Sequence, residues 1–358
     1  MKSLQNNFSH IYIEKNVAGY PLTDLVMKNF SERKIIWIDH YKDIFNRVGQ
    51  DFQSQKTSMN LILAKKTPPF LYPASDMVQE FDTPNVFYNT PVLNCIYNCE
   101  YCFLQGMYPS GNLVVFVNED DLKNAIDMKL NDPIDPLKPT VVSVSYNTDL
   151  LAMENIMPLT RSWVEYAGTK KDLIIEIRTK SALFPAIKDL DVVKNVILSW
   201  TLSPQIICDR YEYTAPPLKS RIRAVKQALD YGWPVRLCLD PVLLVDNWYE
   251  VYTEFFNQLF LEINKDQLID VTLGVFRMNK DYYKRIRKRD TRSDLYYRDY
   301  SVEGNTVAVN KKERLDALHK LRSHLNNFLP IKKFWFGSRD IMISNLTNSR
   351  NKLINKTL

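Results

Sequence analysis

Short apolar runs alternate with segments of helical periodicity from about residue 86 onward, and this alternation constrains the fold more than any other feature. Repeated strand–helix units predict a parallel sheet with right-handed crossovers. About six such units fit an incomplete TIM-like (β/α)6 barrel, whose ligands would bind where the carboxyl ends of the strands lead into loops. A doubly wound open sheet would give the same alternation and is the alternative. The predicted strands are Val141–Tyr146, Leu173–Thr179, Val196–Leu202, Val235–Leu239 and Val271–Phe276, and the clearest helices are Asn155–Tyr166, Leu218–Tyr231 and Trp248–Ile263.

The N-terminal part of the chain has a less regular pattern, which predicts a small mixed α/β region. Prolines at 68, 69 and 73 mark its end. We therefore divide the chain into an N-terminal region, 1–80, a barrel, 81–340, with a last strand at Lys332–Phe336, and a polar tail, 341–358. In the N-terminal region the predicted strands are Ile11–Ile13, Lys34–Ile38 and Asn60–Ala64, and the predicted helices are Tyr20–Phe30 and Tyr41–Val48.

The composition excludes several classes of protein. No apolar run reaches the ~18 residues that cross a bilayer, and the N-terminus lacks the apolar core of a secretory signal, so we expect a cytoplasmic protein with no membrane partner. Five cysteines, an odd number, argue against a disulfide framework. The glycine-rich motifs that bind nucleotide phosphates do not occur. The net charge of +6 permits an anionic partner.

Three of the five cysteines, Cys95, Cys99 and Cys102, form a C-x-x-x-C-x-x-C motif. Thiolates select zinc, copper or iron–sulfur clusters. A structural zinc needs four ligands, and the other cysteines and the four histidines are far away in sequence. Three cysteines would hold three irons of a 4Fe–4S cluster and leave the fourth iron for a chelating ligand. The spacing resembles that of radical S-adenosylmethionine (SAM) enzymes, in which SAM binds that iron; a zinc site or three unrelated buried thiols are the alternatives.

Short segments along most of the chain resemble the spore photoproduct lyase family of radical SAM proteins. Their order and spacing carry the resemblance more than any one of them does. They are Tyr20-Pro21-Leu22, Cys102–Gln105 followed by Val114–Asn118, Asn147-Thr148-Asp149, Thr179-Lys180, Ser199–Pro204, Pro217-Leu218 with Arg221, Gly232–Leu237, Leu239-Asp240-Pro241 and Trp248.

This resemblance implies a partial barrel, a 4Fe–4S cluster and SAM as cofactors, and repair of a methylene-bridged thymine dimer in DNA. It also implies an electron donor such as flavodoxin or ferredoxin. Carried over by position, Cys95, Cys99 and Cys102 would bind the cluster. Thr148, Lys180 and Thr201 would contact SAM, since an ammonium can pair with its carboxylate and a hydroxyl can hydrogen-bond to it. Tyr101 matches a tyrosine beside the path of the radical.

Two positions depart from the family pattern. Where repairing members have a cysteine that returns hydrogen to the product radical, this sequence has Tyr146, and Phe103 replaces the tyrosine after the third cysteine. Because a phenol can donate a hydrogen atom, Tyr146 is the first candidate donor, and Cys238 is the second. The departures leave two other functions open: a radical SAM reaction on another substrate, and a non-catalytic iron–sulfur protein that binds nucleic acid.

Residues 279–300 combine eight Lys or Arg with five tyrosines. Cations neutralise phosphates and aromatic rings stack on bases, so this segment predicts contact with DNA; a solvated basic helix face is the alternative. Within it we single out Lys284, Arg285, Arg287, Tyr296 and Tyr297. Arg236 is a further candidate for substrate binding, because an unpaired charge in a strand is costly. Arg221, on a predicted helix, is expected at the surface.

Overall fold

A computed structural model of the chain describes residues 8–74, 81–289, 293–330 and 333–336. Its strands are β1 (Phe8–Glu14), β2 (Lys34–Ile38), β3 (Met59–Ala64), β4 (Tyr72–Pro73), β5 (Val86–Tyr88), β6 (Val92–Leu93), β7 (Leu113–Phe116), β8 (Thr140–Ser143), β9 (Leu173–Thr179), β10 (Val196–Thr201), β11 (Val235–Val242), β12 (Leu268–Val275), β13 (Arg277–Asn279), β14 (Ser301–Glu303), β15 (Thr306–Ala308) and β16 (Phe334–Phe336). Its α-helices are α1 (Pro21–Asn29), α2 (Lys42–Phe45), α3 (Phe52–Thr57), α4 (Leu104–Met107), α5 (Glu119–Leu130), α6 (Leu159–Gly168), α7 (Gln205–Tyr211), α8 (Leu218–Asp230), α9 (Trp248–Glu262), α10 (Lys280–Arg289) and α11 (Lys311–Leu325).

The larger sheet has the strand order of an incomplete barrel. Six parallel strands follow one another in the order β5, β8, β9, β10, β11 and β12, with β16 added beyond β12 and the antiparallel β4 beyond β5. A doubly wound sheet would reverse this order at a switch point, and the described strands show no reversal. The predicted TIM-like partial barrel is therefore confirmed. A three-stranded antiparallel sheet of β13, β15 and β14 follows β12.

A second sheet, in the order β2-β1-β3-β7-β6, belongs to the N-terminal part of the chain. It includes β6 and β7, which follow β5 of the barrel in sequence, so it takes strands from both sides of residue 80. The division into 1–80, 81–340 and 341–358 stays a prediction, and residues 341–358 lie outside the described part of the chain. One continuous set of buried apolar side chains extends from β1 to α11.

Strand register places polar residues in rows across one face of the barrel sheet, because alternate residues of a strand face the same side. One row consists of Arg178, Ser199, Arg236 and Asp270, which are aligned across β9 to β12. The row nearer the carboxyl ends contains Thr201, Cys238 and Thr272, aligned across β10 to β12, and Lys180 directly follows the end of β9. Two of the predicted site residues, Thr201 and Cys238, therefore share one level of the sheet.

The predicted elements differ from the observed ones mainly at their ends. The helix predicted from Asn155 begins only at Leu159, after Pro158, since the residue before a proline is biased away from helical conformation. The helix predicted at Tyr41–Val48 is a single turn, α2. β16 pairs with β12 and confirms the last strand. Among the described helices, none has the length and apolarity of a membrane span.

Candidate active site at the cysteine loop

The cysteine motif lies in a loop that leaves the N-terminal sheet directly after β6. Asn94, the first residue past β6, has a φ of +73°, a left-handed conformation that asparagine tolerates better than most residues. Its side-chain amide donates to the carbonyl oxygens of Ser110 (2.8 Å) and Asn112 (3.0 Å), and its side-chain oxygen accepts from the Cys95 amide (2.9 Å). A buried asparagine therefore fixes the entry to the loop.

Within the loop the three cysteines are free thiols. The Cys102 amide donates to the Cys99 carbonyl (3.1 Å), and so does the side-chain amide of Gln105 (2.7 Å). Burial raises the pKa of all three thiols, that of Cys95 to about 12, so the thiolate forms need a positive group such as a bound metal. No three His, Cys, Asp or Glu side chains among the described residues converge on a point for one metal ion. Cluster ligands bind different irons and do not need to converge on one point.

The ends of β8 and β9 meet this loop through Asp149. Its carboxylate accepts hydrogen bonds from the Thr179 hydroxyl (2.7 Å) and from the backbone amides of Lys180 (2.7 Å) and Ala152 (3.1 Å). Burial is the largest cause of the raised pKa of Cys95, and the negative charge of the Asp149 carboxylate is the second. The adjacent hydroxyl of Thr148 is buried and has no hydrogen-bond partner among the described residues. The site thus contains an unused donor at a position where a hydroxyl contact to SAM is predicted.

Lys180 belongs to a buried charge network that the sequence did not reveal. Its ammonium lies 3.9 Å from a carboxylate oxygen of Glu212 and 5.2 Å from the centroid of the Tyr101 ring. Glu212 also accepts a short hydrogen bond from the Tyr101 hydroxyl and contacts the Arg221 guanidinium at 2.5 Å. Burial raises the pKa of Glu212, but Lys180 and Arg221 outweigh it and lower that pKa overall. Arg221 is 1% exposed, so its predicted surface position is wrong.

The two candidate hydrogen donors lie in different surroundings. The Tyr146 ring lies 4.5 Å from that of Tyr88 and 5.6 Å from that of Phe103, measured between centroids. Tyr146 is therefore beside the residue that follows Cys102. Cys238 is fully buried opposite Thr201, and burial raises the pKa of its thiol.

The basic segment begins with helix α10, which packs closely on α4, just past the third cysteine. A Cβ on Gly106 would lie 2.4 Å from the backbone oxygen of Tyr282, so only glycine allows this approach. Arg285 donates to the Gly106 carbonyl (3.1 Å), and Arg289 donates to those of Gln105 (2.7 Å) and Tyr108 (3.0 Å). These two arginines bind the carboxyl end of α4, where cations are favourable.

The other side of α10 faces a groove of about 400 Å³ beside the β14–β15 hairpin. The side chains of Lys284 and Arg287 are exposed and line it, and Tyr297 is 53% exposed with Arg287 over its ring (5.4 Å). Tyr296 also lines the groove but is 1% exposed, and its hydroxyl donates to the Glu100 carbonyl (2.5 Å). The structure thus brings four predicted DNA-contact residues together and places Arg285 on the opposite side of the helix.

Arg236 has a partner inside the sheet. Its guanidinium makes two hydrogen bonds to Asp270, at 2.5 and 2.7 Å, and lies 4.4 Å from the centroid of the Phe81 ring. The arginine is 2% exposed. The charge that suggested a substrate contact is therefore compensated by Asp270 within the barrel sheet.

The N-terminal region contributes a lysine to the site that sequence reasoning missed. Lys56, in α3, donates to the Cys95 carbonyl in a short hydrogen bond and to the Asn94 side-chain oxygen at 3.3 Å. Burial lowers its pKa to about 8, while the cysteines of the loop oppose that shift. Lys56 lies one turn after Phe52 on a short helix. Apart from this spacing, nothing in the sequence indicates that the lysine is buried.

Comparison with known proteins identifies the family. Residues 7–328 match the family described as "Spore photoproduct lyase". The chain belongs to the spore photoproduct lyase family. Spore photoproduct lyase of Bacillus subtilis (strain 168) is 20% identical over 351 residues, which cover 92% of this chain and 98% of that protein. Spore photoproduct lyase of Geobacillus sp. (strain Y412MC61) is 21% identical over 266 residues, 70% of this chain and 77% of that protein. The resemblance drawn from the motifs is confirmed.

Solved structures of spore photoproduct lyase share the fold. A cysteine-to-alanine mutant has a TM-score of 0.78 at 16% identity, covering 92% of this chain and 98% of that one. A double mutant of the enzyme, with bound AdoMet and dinucleoside spore photoproduct, has a TM-score of 0.76, also at 16% identity and with the same coverage. At this identity the likeness establishes the spore photoproduct lyase fold for the chain, a partial TIM barrel.

Proposed function

We propose that this chain is a radical SAM lyase that repairs a thymine photoproduct in DNA. The cluster would be held by Cys95, Cys99 and Cys102, and SAM would lie across the strand ends. The supporting observation is that a member of the spore photoproduct lyase family keeps three cysteines in one loop, with Lys180 acting electrostatically on two of them. When bound, the cluster and SAM supply a 5′-deoxyadenosyl radical, chemistry that belongs to the cofactor.

The residues around the loop have distinct tasks in this proposal. Lys180 would pair with the carboxylate of SAM, and the hydroxyls of Thr148 and Thr201 would hydrogen-bond to the same ligand. Glu212 holds Lys180 and the Tyr101 hydroxyl in place and is itself fixed by Arg221. Because Tyr101, Glu212 and Arg221 are buried around Lys180, we expect water to be excluded where the radical would form, which would suppress unwanted quenching.

Hydrogen return is assigned to Tyr146. The thymine carbon radical left after the bridge breaks takes the hydrogen atom of the Tyr146 O–H bond. A C–H bond forms, the O–H bond breaks, and a phenoxyl radical remains on Tyr146. Restoring the Tyr146 O–H bond would require a hydrogen atom from 5′-deoxyadenosine, and Tyr101 is the residue predicted beside that path. Cys238 is the alternative donor.

DNA would bind along the groove beside α10. Lys284 and Arg287 would neutralise phosphates, and Tyr297 would stack on a base, which suits a reaction that requires the damaged base to leave the helix. Tyr296 would support this surface from within, since it is buried. We infer that Arg285 acts on the structure of α4 rather than on DNA. A one-electron donor such as flavodoxin or ferredoxin would reduce the cluster.

The test is anaerobic reconstitution with iron and sulfide, followed by reduction with SAM present and product analysis on ultraviolet-irradiated thymine DNA. We expect restored thymine with little net 5′-deoxyadenosine. Cys99→Ser is the matched control, because it should remove cluster-dependent chemistry from an otherwise unchanged barrel. Absence of an iron–sulfur cluster in the reconstituted wild-type chain would refute the proposal.

A second candidate is favoured by Tyr146 and Phe103, which replace two residues of the hydrogen-return path in the family. In this case the same machinery would act on another substrate. Accumulation of 5′-deoxyadenosine while the irradiated DNA stays unrepaired would support it over photoproduct repair.

A further inference from the structure

Lys56 is a buried cation directly behind the cysteine loop. It is 8% exposed, and its ammonium donates to the Cys95 carbonyl and to Asn94 Oδ1 (3.3 Å) and lies 4.0 Å from Met59 Sδ. As thiolates, Cys95, Cys102 and Cys99 would raise the pKa of Lys56 against the effect of burial. A buried charge is costly unless it is compensated, and the thiolates of the cluster ligands would compensate this one.

The surrounding structure holds Lys56 in this position. Asp51 caps the amino end of α3, accepting from the amides of Gln53 (3.0 Å) and Ser54 (3.1 Å). On its other side α3 lies against the turn at Gly111, whose amide donates to the side chain of Gln55 (2.7 Å). A Cβ on Gly111 would lie 2.5 Å from the carbonyl oxygen of Phe52. The turn at 110–112 also accepts the hydrogen bonds of Asn94, so helix and loop share one support.

We propose that Lys56 is a positioning residue that stabilises the reduced cluster electrostatically. A 4Fe–4S core with thiolate ligands gains one negative charge on reduction, and nearby charge and burial set its potential. A fixed ammonium beside the ligand loop favours the reduced, more negative state over the oxidised one. The inference rests on the proposed function, because it requires the cluster at Cys95, Cys99 and Cys102.

Two substitutions separate the electrostatic effect of Lys56 from its hydrogen bond to the Cys95 carbonyl. Lys56→Gln retains a donor for the Cys95 carbonyl without the charge, and Lys56→Met removes both. We take the effect of one buried unit charge beside the cluster on its reduction equilibrium as about tenfold. A tenfold change corresponds to ~59 mV for a one-electron couple. Lys56→Arg keeps the charge. Lys65→Met removes a charge from an exposed lysine of the same region and is the matched control.

The experiment is a redox titration of the reconstituted cluster, followed by electron paramagnetic resonance in the absence of SAM, with iron content measured for each variant. We expect Lys56→Gln to bind iron like the wild type and to have a midpoint potential lower by ~59 mV, with wild-type potentials for Lys56→Arg and Lys65→Met. Equal potentials in Lys56→Gln and the wild type would overturn the proposal, as would an equal shift in Lys65→Met.

Loss of iron is also decisive. If Lys56→Gln and Lys56→Met lose the cluster while Lys56→Arg keeps it, the charge acts on assembly of the cluster rather than on its reduction, and the proposal fails. If all three variants lose it, Lys56 acts by packing and the proposal fails. A wild-type chain that forms no cluster would contradict the proposed function itself, and so the two failures are distinguishable.

Discussion

Replacing Glu212 by glutamine should destabilise the fold strongly, because it leaves Arg221 without its counter-charge. The side chains of both residues are almost fully buried, 0% and 1% exposed, with 2.5 Å between the paired atoms. Removing one member of a buried ion pair costs about 3–5 kcal/mol, a large part of the ~5–15 kcal/mol that stabilises a typical domain. The amide can still accept the Tyr101 hydroxyl, so the loss reports mainly on charge.

A double-mutant cycle isolates this interaction. We expect Glu212→Gln and Arg221→Met each to lower the free energy of unfolding, measured by urea denaturation under anaerobic conditions. The double variant should lose less than the sum, because its second change removes a charge that the first left unpaired. Asp316→Asn, which breaks an exposed pair with Lys320, is the control and should change stability by less than about 1 kcal/mol. Additive losses at Glu212 and Arg221 would refute the reasoning.

The pH dependence gives a second, independent readout of the same pair. The pKa of Glu212 is lowered in the folded chain, because Lys180 and Arg221 outweigh the effect of burial. A carboxyl with a lowered folded pKa contributes stability above its unfolded pKa, ~4.3, and loses it as the pH falls through the folded value. Unfolding free energies should therefore fall less steeply below about pH 4 in Glu212→Gln than in the wild type.

Three other variants test the site. Lys180→Ala should reduce SAM affinity, measured by equilibrium dialysis, while iron content stays that of the wild type. Tyr146→Phe should still cleave SAM but release no restored thymine, since only the O–H bond is lost. Unaffected repair in product analysis would eliminate Tyr146 as the hydrogen donor. Lys284→Gln should lower the slope of log affinity against log salt for DNA by about one, and an unchanged slope would place that lysine outside the interface.

The alternation of apolar runs was enough to predict a parallel sheet with helical crossovers, because parallel strands buried on both faces leave a strong signal in the sequence. It did not distinguish a partial barrel from a doubly wound sheet, which the strand order decided. Two features weakened the prediction elsewhere. Strands of two or three residues, such as β6 and β14, carry too little pattern to be recognised. The N-terminal sheet recruits β7 from a later part of the chain, and pairing between distant segments is not visible in one sequence.

Arg221 was misplaced although the sequence held a clue. In α8 the apolar stripe includes Leu218, Ile222 and Val225, and Arg221 lies three residues after Leu218, on that same face. An arginine within an apolar stripe indicates a buried partner, here Glu212. The partner could not be read from the sequence, because Glu212 precedes the helix and meets Arg221 only through the fold. Lys56 gave a weaker signal in the sequence, because α3 is too short for its buried face to be recognised.

The cysteine loop is held from three sides, and this explains why so few of its supports could be predicted. Its entry, Asn94, is fixed by the turn that precedes β7, and α3 places Lys56 behind Cys95. Its exit helix, α4, is bound by Arg285 and Arg289 from α10, almost two hundred residues later. The motif itself supplies only the thiolates. Their geometry depends on segments from the N-terminal sheet and the basic helix, so substitutions at Asn94, Arg285 or Arg289 should change cluster retention before they change the barrel.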